Sequence, residues 1–275
     1  MIKMIVVDID GTLAYKKSKV SKENIAAIRK AKEKGICVVI ATGRNINKIK
    51  KVAEQIDSHM DKSPIVSLNG GMIHYWDENQ IPEVTFKHPF EPKDASEIFE
   101  LAKKNKVILF AYCEDDNLAY VNKKTGLFIW FLKRVSKRKI ALFDKVKEPI
   151  LVMKFICYGK NENINNFRAE MTKKKFETYA WSYVTKGTTN LEVNPHTVDK
   201  STALKQIATE MKIKPSEIVY FGDGENDLKS IQWAGLGVAM DNAPEKIKAE
   251  ANDVTLHHKK HGVAVKINEL LEENQ

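Results

Sequence analysis

The 275 residues carry 43% hydrophobic and 29% charged side chains, the composition of a soluble globular protein large enough for one big domain or two smaller ones. No apolar run is long enough to span a bilayer, and the N-terminus enters a strand without the pattern of a secretion signal, so no membrane association and a cytoplasmic location are expected. The net charge of +9 favours anionic partners, but the lysines are scattered over polar helix faces without an arginine-aromatic pattern, which argues against nucleic acid. Cys37, Cys113 and Cys157 are widely spaced in apolar runs and are expected to be reduced core residues.

The first segment alternates strand and helix. Met4 to Val7 reads as a buried strand and ends in Asp8-Ile9-Asp10-Gly11-Thr12. Ser21 is placed to cap a helix to about Lys34, with Ile25, Ile28 and Ala31 on one face and Gly35 closing it. Ile36 to Ile40 is a second buried strand, followed by Ala41-Thr42-Gly43-Arg44, a helix from Asn45 to Ile56, and a third strand from Ile65 to Leu68 that ends at Asn69-Gly70-Gly71. Strand-helix-strand-helix-strand implies a parallel sheet.

From about Thr85 to Lys186 the pattern changes. Strands are expected at 107–113, 118–121, 150–158 and 179–185, and helices at 92–105, 125–137 and 163–176. Met153-Lys154-Phe155-Ile156 reads as exposed on one face, which suits an antiparallel sheet with helices on the other. The last segment returns to the first pattern. It has a short strand at 191–193, a helix at 200–211 and a buried strand at 218–221 that runs into Gly222-Asp223-Gly224-Glu225-Asn226-Asp227. A helix at 228–234, strands at 236–239 and 254–255, and helices at 244–251 and 263–272 complete it. Residues 1–84 and 188–275 thus read as two parts of one core domain, with 85–187 inserted as an α+β domain.

Residues i and i+2 of a strand point the same way, so the Asp8 and Asp10 carboxylates can converge, and Gly11 lets the chain turn sharply. Such a pair can hold magnesium, attack a phosphoryl group or do both; alternatively, Asp and Gly are simply turn residues. The other segments at strand or helix ends are Thr42-Gly43-Arg44, Lys200 and the 222–227 loop. In an open parallel sheet, ligands bind outside the carboxyl ends of the strands, so all four can meet in one crevice.

In this order the motifs resemble those of the haloacid dehalogenase (HAD) superfamily of phosphohydrolases, in particular its Cof-like, type-IIB branch, over essentially the whole chain. Asp8-Ile9-Asp10-Gly11-Thr12 matches D-x-D-G-T, and Ala41-Thr42-Gly43-Arg44 matches the second motif. Asn69-Gly70-Gly71 resembles the branch's Asn-Gly-Ala turn, and Asp199-Lys200-Ser201 its lysine motif. Gly222 to Asp227 matches G-D-x-x-N-D, and Ala234-Gly235 and Asn242-Ala243 also fit.

The resemblance implies a Rossmann-like parallel α/β core with an inserted α+β cap. It implies a magnesium-dependent phosphatase acting on a small phosphorylated metabolite, a sugar phosphate or similar monoester, through an aspartyl-phosphate. Asp8 is expected to be the nucleophile, and Asp10 the general acid and base through a side chain left free for that work. Asp8, Asp10 (through its backbone carbonyl) and Asp223 are expected to bind Mg2+, with Asp227 orienting these ligands from behind. Ile9, Thr42, Gly43, Lys200 and Asn226 are expected to bind phosphate. A monomer or weak homo-oligomer is expected.

Two departures from the branch pattern stand out. Ser201 replaces a usual Gly and is a candidate helix cap, and Asp241 stands where Gly often precedes Asn-Ala. His257, His258 and His261 read as a solvated loop. Trp130, Phe128 and Phe131, like Trp181 and Tyr183, are more simply core packing than a stacking platform. Arg44 is expected to pair with a nearby acid. The rival functions are a phosphotransferase or mutase using the same intermediate, and a non-catalytic metabolite sensor.

Overall fold

The computed structural model describes residues 1–273 apart from 115–116, 124–125, 127–128, 131–133, 135–137, 146–149 and 181–186. In chain order the strands are β1 (Met4–Val7), β2 (Ala14–Lys16), β3 (Lys19–Val20), β4 (Cys37–Ala41), β5 (Ile65–Ser67), β6 (Met72–Trp76), β7 (Pro82–Lys87) and β8 (Ile108–Cys113). They continue as β9 (Leu118–Val121), β10 (Lys139–Leu142), β11 (Val152–Lys160), β12 (Phe176–Ala180), β13 (Thr188–His196), β14 (Ile218–Gly222), β15 (Leu236–Met240) and β16 (Asp253–Thr255). The chain divides into two units, Met1–Lys87 with Asp199–Gln275, and His88–Val198.

The first unit is built on an eight-stranded sheet in the order β16-β15-β14-β1-β4-β5-β6-β7. The pairs from β16 to β5 are parallel, and β5-β6 and β6-β7 are antiparallel. β1 is wholly apolar and buried on both faces, as a central parallel strand must be. Ile5 and Val7 pack with the helices Lys22–Glu33, Ile46–Gln55 and Gly262–Glu273 on one side of the sheet. Met4 and Val6 pack with Lys200–Glu210 and Leu228–Trp233 on the other. This three-layer arrangement is the Rossmann-like α/β core. β1 lies between β4 and β14, so the chain leaves it to opposite sides and opens a crevice at its carboxyl end. Asp8, Thr42, Leu68, Asp223 and Asn242 all follow the carboxyl ends of strands of this sheet.

The helix caps follow local chemistry. Ser21 accepts from the Asn24 amide and Asn45 from the Lys48 amide, each satisfying a first-turn N–H. Ser201 is not the cap of its helix; that cap is Asp199, whose Oδ1 accepts from the Thr202 amide at 2.9 Å and from Ser201 Oγ at 2.6 Å.

The second unit is an α+β module around the sheet β10-β9-β8-β11-β13-β12. Its pairs are antiparallel except β9-β10. The helices Pro92–Lys104 and Asn161–Lys173 cover one face, where Phe90, Phe99, Phe155 and Phe167 form the core. Three expectations are corrected here. Thr188–His196, including the strand assigned to the core domain, belongs to this sheet, so the division falls at Val198/Asp199 rather than 187/188. The first division falls at Lys87/His88 rather than 84/85, because β7 pairs with β6 in the core sheet. Lys154 is buried rather than exposed, its Nζ 2.8 Å from Glu192 Oε1. The paired charge explains how a lysine sits on an otherwise dry strand. Phe128, Phe131, Trp181 and Tyr183, with most of the helix expected at 125–137, lie outside the described residues; Trp130 is exposed beneath the Arg134 guanidinium.

Candidate active site

Asp8 follows β1 and is 4% exposed; Lys200, the first residue of its helix, is fully buried. The Lys200 ammonium lies 2.7 Å from Asp8 Oδ1 and 2.6 Å from Asp227 Oδ1, so one cation bridges two strand-end loops. Burial alone would lower the Lys200 pKa, but Asp227 and Asp8 outweigh it and hold the ammonium charged well above its ordinary value. Burial pushes the Asp8 carboxyl up to about 7; Lys200 opposes this, while Asp227 and Asp10 reinforce it. Burial, with Asp8 and Asp227, pushes Asp223 up to about 8.

Asp227 holds the acidic loop in shape. Its Oδ1 accepts from Lys200 and from the Tyr220 hydroxyl at 2.5 Å, and its Oδ2 accepts from the Asp223 and Gly224 amides at 3.0 and 2.9 Å. Four donors on one carboxylate suit a group that orients its neighbours. Gly222 is required beside it, because a Cβ there would lie 2.5 Å from the Asp227 side chain.

Side-chain oxygens of Asp8, Asp223 and Asp227 come within 4.8 Å of one another. An all-carboxylate donor set is the chemistry of a hard divalent cation. With all three ionised, three carboxylates against one ammonium leave two negative charges uncompensated, so these residues fit a dication, which would take the place of the protons that burial favours on Asp8 and Asp223. The Asp10 side chain is not in this group. Its reading as a free side chain is corrected: both its oxygens accept from Arg44, Nε at 2.7 Å and Nη2 at 2.5 Å, in a bidentate pair. Arg44 also reaches Ser18 Oγ at 2.8 Å and the Lys17 carbonyl at 3.0 Å, tying the segment after the first motif to the second. The Asp10 side chain nevertheless remains 64% exposed, at the surface of the site.

The other expected site residues fall at the same sheet edge. The Ile9 side chain is fully buried in the core and its carbonyl accepts from the Ala14 amide. Thr42 is buried, and its carbonyl accepts from the Asn69 amide at 3.0 Å. Gly43 approaches Asn69 so closely that a Cβ would sit 2.8 Å from Asn69 Oδ1. That same oxygen accepts from Asn226 Nδ2 at 2.9 Å. Asn69 thus joins the second and fourth motifs from a turn in which Leu68, Asn69 and Gly70 all have positive φ.

Sequence reasoning gave no site role to three supporting side chains. Asn69 and Asn242 had a signal, since each follows a strand of the parallel sheet. Tyr220 had none: a tyrosine within an apolar strand reads as core until its hydroxyl is seen against Asp227. Among the histidines, His258 borders the site, its amide donating to Asn242 Oδ1 at 3.0 Å.

The sequence model of the haloacid dehalogenase-like hydrolases matches residues 5–267. The 5-amino-6-(5-phospho-D-ribitylamino)uracil phosphatase YcsE of Bacillus subtilis is 28% identical over 264 residues, covering 96% of this chain and 93% of its own. Phosphatase YwpJ of the same organism is 28% identical, covering 98% of this chain and all of its own. A haloacid dehalogenase-like hydrolase from Bacteroides thetaiotaomicron superposes with a TM-score of 0.78 at 26% identity, covering 98% of this chain and 100% of the other. With the family matched along nearly its whole length, this chain belongs to the haloacid dehalogenase-like hydrolases.

Proposed function

We propose that this hydrolase releases phosphate from a small phosphorylated metabolite, a sugar phosphate or similar monoester, through an aspartyl-phosphate on Asp8 and with magnesium as its metal. The observation that carries the reading is the buried Lys200 ammonium held between Asp8 and Asp227, next to a carboxylate cluster with negative charge to spare. The YcsE relative supports the substrate class, because the phosphoryl group in its name is carried on a ribityl chain.

Asp8 and Asp223 would hold the metal through their side chains and Asp10 through its carbonyl. Bound there, magnesium would offset the repulsion between the Asp8 carboxylate and the anionic phosphoryl group. Asp8 attacks phosphorus, forming a P–O bond to its carboxylate while the bond to the leaving oxygen breaks. Asp10 is exposed and would give a proton to that oxygen and then take one from the water that attacks the acyl phosphate; because both its oxygens accept from Arg44, one of them must first leave that pair to carry the proton. Lys200 supplies fixed positive charge to the phosphoryl oxygens and to Asp8. The Thr42 hydroxyl, the Gly43 and Ile9 amides and Asn226 are the remaining phosphate donors of this reading.

Acid quenching of the enzyme during turnover of a 32P-labelled monoester tests the covalent step. Label that stays with the protein, is released by hydroxylamine and is absent in Asp8→Asn is the expected result. Phosphate release with no protein-bound label in wild type, under quenching fast enough to stop turnover, contradicts it.

A further inference from the structure

Asn242 follows β15 at the sheet edge that carries Asp8 and Asp223. Three hydrogen bonds hold its side chain. Nδ2 donates to the Gly11 carbonyl at 2.8 Å and to Asp223 Oδ2 at 3.0 Å, and Oδ1 accepts from the His258 amide at 3.0 Å. Chemistry fixes this orientation: exchanging the amide's two ends would set oxygen against oxygen at Gly11 and Asp223, and donor against donor at His258. His258 is anchored in turn, its Nδ1 lying 2.9 Å from the Ala14 carbonyl.

The loop that follows Asp8 and the loop that carries Asp223 meet at this amide. Gly11 has φ +79°, and a Cβ there would lie 2.1 Å from Asp223 Oδ2, so its backbone packs directly on the carboxylate. A carboxylate on a loop has two soft side-chain torsions. Gly11 limits them by contact on one side, and the Asn242 donor fixes one oxygen and thereby the plane of the other.

We propose that Asn242 is a positioning residue for the metal-holding carboxylate of Asp223, locking it to the loop that bears the nucleophile. This rests on the reading of Asp8 and Asp223 as metal ligands. Its consequence is specific: losing the amide should weaken metal binding more than it weakens the fold. Outer partners that orient metal-binding groups typically contribute about 10–100-fold in metal affinity.

The test uses the metal-stripped full chain, with binding of Mn2+ followed by electron paramagnetic resonance of the free ion. Asn242→Leu keeps the branched shape in a somewhat larger side chain and removes both the donors and the acceptor. It is expected to raise the Mn2+ Kd about 10–100-fold. Its melting in chelator should remain cooperative, and kcat for p-nitrophenyl phosphate should recover at saturating metal. Asn242→Ser, which retains one donor, is expected to give a smaller loss, and supplies the same comparison should the leucine variant not melt cooperatively. An unchanged Kd in a folded variant overturns the role of Asn242 while leaving the metal-site reading intact. Wild-type protein that binds no Mn2+ at millimolar concentration overturns that reading and the inference with it.

Discussion

Complete burial of an ammonium is costly unless its partners offset the lost hydration, and Lys200 has two carboxylates within 2.7 Å. Its position also makes it the point charge nearest the nucleophile. Lys200→Met is therefore expected to lower phosphate release at least about a hundredfold, the typical loss of one preorganised charge-stabilising group. Single-turnover rates at saturating substrate check this; a loss confined to KM would contradict the assignment. At this scale much was legible in advance. Asp8, Asp10, Asp223 and Asp227 stand at fixed spacings just after short apolar strands, and those spacings are visible without coordinates. What was not legible is pairing. That Arg44 pairs with an acid near the site was expected, but nothing in the spacing names that acid as Asp10, or says that Tyr220 turns its hydroxyl to Asp227. The first depends on how loops from separate strands fold over one another, the second on how the loop after β14 turns back onto its own strand.

At the scale of elements, two glycines separate close packing from backbone conformation as reasons for having no side chain. A Cβ at Gly237 would fall 2.1 Å from the Ile231 carbonyl oxygen, where β15 passes the helix Leu228–Trp233. The obstacle is backbone, so it cannot swing away. Gly237→Ala is expected to destabilise the first unit by about 1–3 kcal/mol, the usual cost of overpacking, read as a lower urea midpoint with an unchanged slope. Gly35 has φ +78° but nothing within 4 Å of a Cβ, so its alanine variant should cost only the conformational penalty of about 1–2 kcal/mol.

The parallel strands were legible because each is a short apolar run followed by turn residues. The β6-β7 hairpin was not. Met72 to Lys87 mixes His74, Tyr75 and Trp76 with a polar edge strand, and so imitates the irregular middle of the chain. Thr188–His196 was misassigned for a related reason. A single apolar pair, Leu191 and Val193, suits either sheet, and only pairing with β11 and β12 decides between them.

At the scale of the whole molecule, the buried acids couple stability to pH and to metal. In the metal-free protein Asp8 titrates near 7 and Asp223 near 8, both raised chiefly by burial from an ordinary value of 3.8. Between those limits the folded chain holds protons that the unfolded chain has released. The corresponding stability is present at low pH and is lost as pH rises through about 7 and 8. His74 acts in the opposite sense. Burial lowers it to about 4, so its contribution is complete above its ordinary value of 6.5 and is lost only as pH falls. Between pH 6.5 and 9, roughly, the acids therefore decide the sign.

The melting temperature in chelator is expected to fall across that window by at least about 3 °C. The gap between melts with and without magnesium should widen, because the cation favours the ionised carboxylates. A chelator melt that is flat or rises with pH would contradict the buried cluster. The fold class was the most legible property at this scale, through the return of the strand-helix pattern after the middle segment. Substrate choice was the least legible, since it depends on surface geometry that residue periodicity does not encode.

The most direct test of the central claim is phosphate release from a panel of phosphorylated sugars and related metabolites, with magnesium and with chelator, comparing wild type with Asp8→Asn. The account predicts release that requires magnesium and falls to background in the variant while its fold is retained. Release that persists in a folded Asp8→Asn protein would contradict the assignment of Asp8 as the nucleophile.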